Sequence, residues 1–397
     1  GFDGYISKYN DTGELQWVST FGGEFNDVAT DIAIASDGNI VVAGATIGTA
    51  TFSDGEQLVN SSNTTSQIII FKLNAITGDI IWKSTTDLNG YTSTINFRAD
   101  NSLIGSVISN NDSDPLNFFN VNYLDGSFNI INLNGVSGIF RDLSFDDDDN
   151  VYITGFDDDG DNFLFLNKYD SDFNLIWNLE FEGSGSELAY DSENNLIYLI
   201  GYITGTVNIN PLGTEYNLIV DQNDGRRFFA AYTSSGIVEF SHVFSQISGD
   251  PGTVDEVILN IVDDKLLIYG SYIGSPDLDI TDNIVLPSTN VNIFNRFASI
   301  YDLIDGPTLV GQYFFGQQNS NSSANKSEII LAGNDLLIAT DRDKTMELFD
   351  INQNPLVTLT NIPNENDNSY SLYSALVSFN IVNNVDTTNP TITCPEN

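Results

Sequence analysis

Cations, imidazoles and thiols are scarce in this 397-residue sequence: 13 Lys+Arg stand against 55 Asp+Glu, with one His and one Cys, for a formal net charge of −42. Binding to a phosphate backbone by counterion release needs a basic stripe, so the composition argues against a nucleic-acid partner. A disulfide framework or a set of thiolate ligands needs several cysteines, and Cys394 stands alone near the end, so no bridge within the sequence is expected. No run approaches the roughly 20 apolar residues of a membrane span. Residue 1 is Gly, with no basic and apolar leader after it, so the sequence reads as a mature product or a fragment whose export signal would lie outside it. Sustained 3.6-residue apolar periodicity is missing as well. What is present is 41 % hydrophobic and 12 % aromatic residues, enough for a large core, so the acidity belongs to the surface of a folded, soluble protein and does not signal disorder.

Two elements alternate along the chain. The first is a leading hairpin: an apolar strand, a turn of Asp, Asn, Ser and Gly, and a second apolar strand that usually ends in Gly. It occurs at Asp31–Thr46, Ile95–Val107, Leu143–Gly155, Leu188–Gly201, Ile258–Gly270 and Ile329–Thr340. Asp, Asn and Gly tolerate the positive φ of tight hairpin turns, which explains their recurrence between β-branched runs. The second is a trailing hairpin, at Tyr5–Trp17, Ile70–Trp82, Phe119–Ile131, Phe165–Trp177, Phe229–Phe240, Phe297–Val310 and Met346–Leu359. The repeating unit is therefore four strands long.

Strands such as IVVAGA and LIYLIGY are apolar on both faces, so both faces must be covered. Without helices, sheets must cover sheets. Repeated four-stranded antiparallel sheets packed face to face form an all-β fold, the β-propeller, and seven trailing hairpins predict seven blades over residues 1–385. The chain opens with a trailing hairpin, so closure predicts that Ser369–Val382 pairs with the blade begun at Tyr5.

At the first repeat, DGYISKYNDTGELQWVSTFGG followed by DIAIASDGNIVVAGAT resembles the bacterial β-propeller repeat called SBBP. The likeness is strong over residues 3–46, weaker over 68–107 and 142–201, and fades beyond about residue 290. The ending DTTNPTITCPEN, Asp386–Asn397, resembles the start of an HYR module, an immunoglobulin-like domain. This likeness implies that residues 386–397 are a linker and first strand of such a module, and that Cys394 pairs with a later cysteine of it. Asp386-Thr387-Thr388 also resembles the O-glycosylation pattern of Bacteroidota secreted proteins, which implies Thr387 as a glycan acceptor. Large secreted adhesins of Bacteroidota, exported by the type IX system and in some cases serving gliding motility, combine such propellers with HYR stalks.

Several residues invite a chemical reading. Asp157, Asp159 and Asp161 alternate as in calcium loops, and oxygen-rich turns suit a hard cation. Gly160 and Lys168 depart from the EF-hand pattern, so calcium is the candidate cofactor of an atypical loop. Asp146 to Asp149 occupy the turn that SDGN fills in the first repeat and read as solvated hairpin chemistry. Trp17, Trp82 and Trp177 recur at one repeat position, and NAITGDIIW resembles the tryptophan-docking motif of quinoprotein-type propellers. The bland reading, an indole packed on the neighbouring blade, is preferred over a quinone site. Lys8, Lys72 and Lys168 also share a position, read as stem packing with a solvated ammonium. His242 lacks a nucleophile motif and reads as structural.

These observations favour a non-enzymatic domain of an extracellular or cell-surface protein, associated with the outer membrane. Its partners are an extracellular protein or polysaccharide surface and further HYR-type modules of the same polypeptide. Recognition is expected on the long connections Thr46–Gln67, Thr204–Arg227 and Ser271–Arg296, because loops on a rigid scaffold carry it. The alternative is a glycoside hydrolase or lyase using Asp or Glu pairs at a central channel.

Overall fold

A computed structural model describes residues 1–10, 14–60, 64–98, 101–109, 117–133, 138–157, 163–221, 225–244, 253–274, 276–281, 295–317, 327–332, 335–342, 346–349, 355–359, 373–380 and 391–393. The chain divides into two compact units, Gly1–Glu180 and Phe181–Asn397. Among the described residues every regular element is a strand.

In the first unit β1 (Gly4–Tyr9) and β2 (Leu15–Gly22) form a hairpin. β3 (Val28–Ile34) and β4 (Ile40–Thr46) follow, then a short inserted pair, β5 (Thr49–Phe52) and β6 (Gln57–Val59), then β7 (Gln67–Leu73) and the long β8 (Ile80–Phe97). β3, β4, β7 and β8 make one antiparallel sheet, while β5 bonds to β2. The second half of β8 opens the next sheet with β9 (Leu103–Ser109), β10 (Asn117–Val121) and β11 (Phe128–Asn132). A further sheet joins β12 (Ile139–Phe145), β13 (Val151–Phe156), β14 (Phe163–Tyr169) and β15 (Leu175–Glu182).

In the second unit come β16 (Ser184–Asp191), β17 (Leu196–Ile203), the inserted pair β18 (Thr206–Asn208) and β19 (Asn217–Ile219), then β20 (Arg226–Thr233) and β21 (Val238–Val243). β22 (Thr253–Val262), β23 (Lys265–Ile273), β24 (Asn295–Asp302) and β25 (Thr308–Gln317) form the next sheet. The last contains β26 (Ser327–Ala332) and β27 (Asp335–Arg342), an inserted pair β28 (Met346–Phe349) and β29 (Pro355–Leu359), and then β30 (Tyr373–Asn380) and β31 (Thr391–Thr393). β28 bonds back to β25, as β5 bonds back to β2. Within this unit β22 packs beside both β16 and β26.

Six four-stranded antiparallel blades and one further trailing hairpin, β1–β2, are thus present among the described residues. This is the blade architecture of a β-propeller, with the seven trailing hairpins that the repeats predict. Two assignments change. Met346–Leu359 is an insertion, and the last trailing hairpin is β30–β31. β30 lies between β27 and β31 with both edges bonded, so it completes the last blade, not the one begun at Tyr5. The physical reason is that the leading hairpin at Ile329–Thr340 needs a third strand, and the apolar segment 373–380 supplies it. Thr391–Thr393, read as the opening of a further module, adds the fourth.

Covered faces explain the strand compositions. β4 and β7 are buried along their whole length. Phe21, Phe52 and Phe71 meet at centroid distances of 5.3 to 5.6 Å in the core beneath the first blade. Successive blades are joined by the tryptophans. Trp17 Nε1 donates to the Ala75 carbonyl at 3.2 Å and Trp82 Nε1 to the Tyr123 carbonyl at 3.0 Å. Each indole lies over a glycine of the next trailing turn, Gly78 and Gly126; a Cβ on either would come within 2.7 Å of the ring. Glycine is required there twice over, since both also have positive φ, 75° and 76°. The docking reading of Trp17 and Trp82 is borne out. Trp177 packs on Tyr152 at 5.9 Å within its own blade.

Candidate binding surface on the inserted hairpins

The three long connections leave the second strand of their blades through glycines of closely similar positive φ, namely Gly48, Gly205 and Gly274 at 70° to 75°. In the first, Ala50 and Phe52 are buried against Phe21 and Phe71, and Asn60 Nδ2 ties the return strand to the Thr46 carbonyl at 2.7 Å. Lys83 of β8 clamps the hairpin tip, its ammonium 2.7 Å from Asp54 Oδ2 and 3.0 Å from Glu56 Oε2. Burial alone lowers the Lys83 pKa, but the bonds from Asp54 and Glu56 outweigh it and hold the ammonium above its usual range. Burial likewise raises Asp54, and the Lys83 bond overcomes it, so that carboxyl sits below its usual range.

The second connection is built the same way. Val207, Ile209 and Leu218 point inward, Tyr232 Oη donates to the Ile209 carbonyl at 2.9 Å, and Asn210 accepts from Val238 N while donating to the Thr214 carbonyl. In the third, Leu278 and Ile280 are buried, and the Tyr301 hydroxyl bridges them, accepting from Ile280 N and donating to the Leu278 carbonyl. Asp277 is buried beside His242, whose Nε2 lies 4.0 Å from Asp277 Oδ2. Burial pushes the Asp277 carboxyl up, opposed by the charge of His242. His242 packs edge-on against Phe244 at 5.3 Å. Residues 282–294 lie outside the described residues.

The first two insertions, each within its own unit, carry matching outward patterns. Thr49 pairs with Val59 and Thr51 with Gln57 in one; Thr206 pairs with Ile219 and Asn208 with Asn217 in the other. Val59 and Ile219 are 68 % and 74 % exposed. Each hairpin thus offers a β-branched aliphatic side chain flanked by hydroxyl and amide groups. Such a surface can bind by apolar contact and neutral hydrogen bonds.

Of the residues read as a calcium loop, Asp157 follows β13, half-buried, with its backbone N–H donating to the Phe163 carbonyl at 2.8 Å. Asp159 and Asp161 lie outside the described residues, as does Thr387. Among the described residues no three His, Cys, Asp or Glu side chains gather closely enough to hold a metal ion.

Two readings need correction. Asp146 is not a solvated turn residue. It is buried, and its carboxylate accepts from Tyr152 Oη, from Asn150 and from Lys168 Nζ at 3.1 Å. The Lys72 and Lys168 ammonium groups are not solvated either: their side chains are 8 % and 10 % exposed, and Lys72 pairs with Asp37 at 3.7 Å over the Tyr123 ring. In both blades the turn carboxylate of the leading hairpin meets the lysine of the third strand; the Lys168–Asp146 pair is buried on both sides, whereas Asp37 is 45 % exposed. Both were visible in the repeat, but only as separate columns.

The chain matches no family model. It is 30 % identical over 122 residues to an uncharacterized WD repeat-containing protein of Acanthamoeba polyphaga mimivirus, a match that covers 30 % of this chain and spans 9 % of that relative's length. Among solved structures it is similar to the periplasmic gluconolactonase of Pseudomonas aeruginosa, at 13 % identity over 90 % of this chain and 94 % of that one, with a TM-score of 0.48. It is also similar to the β-propeller domain of the trilobed protease of Pyrococcus furiosus, at 10 % identity over 89 % and 91 %, with a TM-score of 0.41. The class of protein is set by the blades themselves: this chain is an all-β protein of the β-propeller class.

Proposed function

We propose that the chain is a non-enzymatic propeller domain of a large secreted or cell-surface adhesin-like protein. It holds an extracellular protein or polysaccharide through the inserted hairpins. The observation that carries this reading is the repeated design of β5–β6 and β18–β19: each is fixed from beneath by buried apolar residues and side-chain bonds, and each turns the same aliphatic, hydroxyl and amide pattern outward. Rigid anchoring lowers the entropic cost of recognition. The SBBP-like repeats support an extracellular setting. A net charge of −42 keeps such a domain soluble and disfavours anionic polymers as partners.

The test is a binding screen of the whole chain against neutral and acidic polysaccharides and surface proteins, repeated with Val59→Asp and Ile219→Asp. Both side chains are exposed, so the fold should survive. Loss of about ten-fold or more in affinity for a captured ligand supports the proposal. Unchanged binding in both variants rejects this surface. Turnover of a glycoside or lactone substrate would move the protein to the enzymes.

A further inference from the structure

The hairpin β1–β2 matches β7–β8 position by position. Lys8 stands opposite Trp17 as Lys72 stands opposite Trp82, and in both pairs the register shifts directly after the lysine. β1 is therefore a third strand. In the complete blades the third strand bonds to the fourth on one edge and to the second on the other; among the described residues β1 bonds to β2 alone.

The open edge is visible at Tyr5. Its counterparts are Ile69, Phe119, Phe165, Phe228 and Phe297, each no more than 4 % exposed. Each pairs across with a glycine of the second strand, Gly44, Gly105, Gly155, Gly201 and Gly270 respectively. The glycine leaves the space that the third-strand side chain fills: a Cβ on Gly105 would lie 2.1 Å from the Phe119 ring, and one on Gly155 2.6 Å from that of Phe165. This is the physical reason the leading hairpins end in Gly. Tyr5, by contrast, is 67 % exposed, and Tyr9 is 44 % exposed where four of its five counterparts, Leu73, Tyr169, Tyr232 and Tyr301, are buried and the fifth, Tyr123, is half-buried. Lys8 shows the same departure. Lys72 and Lys168 reach the turn carboxylates Asp37 and Asp146, whereas Lys8 donates to the Ala75 carbonyl at 2.7 Å.

We propose that the free edge of β1 is the acceptor for one more leading hairpin of this repeat, contributed by the same polypeptide. Its second strand runs antiparallel to β1 and places a glycine opposite Tyr5; its turn carries an aspartate that reaches Lys8. Topology sets the source, because in each complete blade the second strand belongs to the segment leading directly into the third. A short connection suffices, as between β13, ending at Phe156, and β14, beginning at Phe163. The proposal does not depend on what the inserted hairpins bind.

The experiment fuses a copy of residues 31–46 ahead of Gly1 through a linker of about six residues and follows hydrogen exchange of the β1 amides in the whole chain. Those not bonded to β2 should slow by about 100-fold. A fused copy carrying Gly44→Val should restore fast exchange, because the added side chain takes the place of the Tyr5 ring. The substitution lies in the appended copy, so the folded chain is untouched. Three results would overturn the proposal: no slowing on fusion, equal slowing by the valine copy, or concentration-dependent protection in the unfused chain, which would make the occupant a second copy.

Discussion

Replacing Asp146 with Ala tests whether the pair between the leading turn and the third strand holds a blade together. The carboxylate accepts from Tyr152 Oη and Lys168 Nζ, each at 3.1 Å, and from Asn150 at 2.9 to 3.0 Å. The side chains of Lys168 and Asp146 are 10 % and 6 % exposed, so solvent screens the pair little. Removing one partner of a buried pair strands the other, which costs about 3 kcal/mol or more. Hydrogen exchange of the β13–β14 ladder, Val151–Phe156 against Leu164–Tyr169, reads that loss locally. About 3 kcal/mol corresponds to exchange about 150-fold faster. The pH dependence gives an independent check. Burial raises the Asp146 carboxyl, but the bonds from Asn150 and Lys168 outweigh it, so folding lowers its pKa. Such a group stabilises the fold above its unfolded value near 3.9 and loses that contribution as pH falls through the lower folded value. The cost of Asp146→Ala should therefore be full at pH 7 and shrink below about pH 4. Acceleration of less than about five-fold at pH 7, the scale of an exposed ion pair, would refute the reasoning.

Two further predictions follow from the first unit. Gly126→Ala puts a methyl group 2.7 Å from the Trp82 ring at a residue with φ of 76°, so the thermal midpoint should fall and Trp82 fluorescence should shift toward that of a solvated indole. Asp27 is buried, and burial, with the nearby Asp3 charge, pushes its carboxyl up against the backbone hydrogen bonds from Gly23 and Ile47. A raised acid destabilises the fold once it must ionise, so Asp27→Asn should raise the melting temperature at pH 7, and the gain should vanish as pH falls toward about 4.

Much of the architecture was legible because blades repeat. Hairpin turns and doubly apolar strands have a local cause that reappears six or seven times, the tryptophan position recurs three times, and Trp17 and Trp82 dock where the pattern placed them. The errors arose where local pattern and long-range pairing part. Met346–Leu359 has the form of a trailing hairpin, but it bonds to β25 from outside the blade, as β5–β6 bonds to β2; nothing within fourteen residues separates an insertion from a repeat element. The ammonium groups of Lys72 and Lys168 and the carboxylate of Asp146 were misread as solvated because each column, taken alone, is a polar residue at a strand end, while Asp147 and Asp148 are exposed as read. Burial emerges only when Lys168 on β14 and Asp146 in the turn before β13 are brought together beside Tyr152. The inserted hairpins lie within connections that the sequence marks as long, yet their outward pattern depends on the pairing of Thr206 with Ile219, a register that sequence spacing leaves open.

β8 runs without interruption from Ile80 to Phe97, bonded to β7 in its first half and to β9 in its second. Two neighbouring blades are thereby sewn with one thread. Under a pulling load, as on a tethered molecule in flow, these blades have no slack tether to pay out between them and must rupture as a couple. A single protease nick within this span would free both at once.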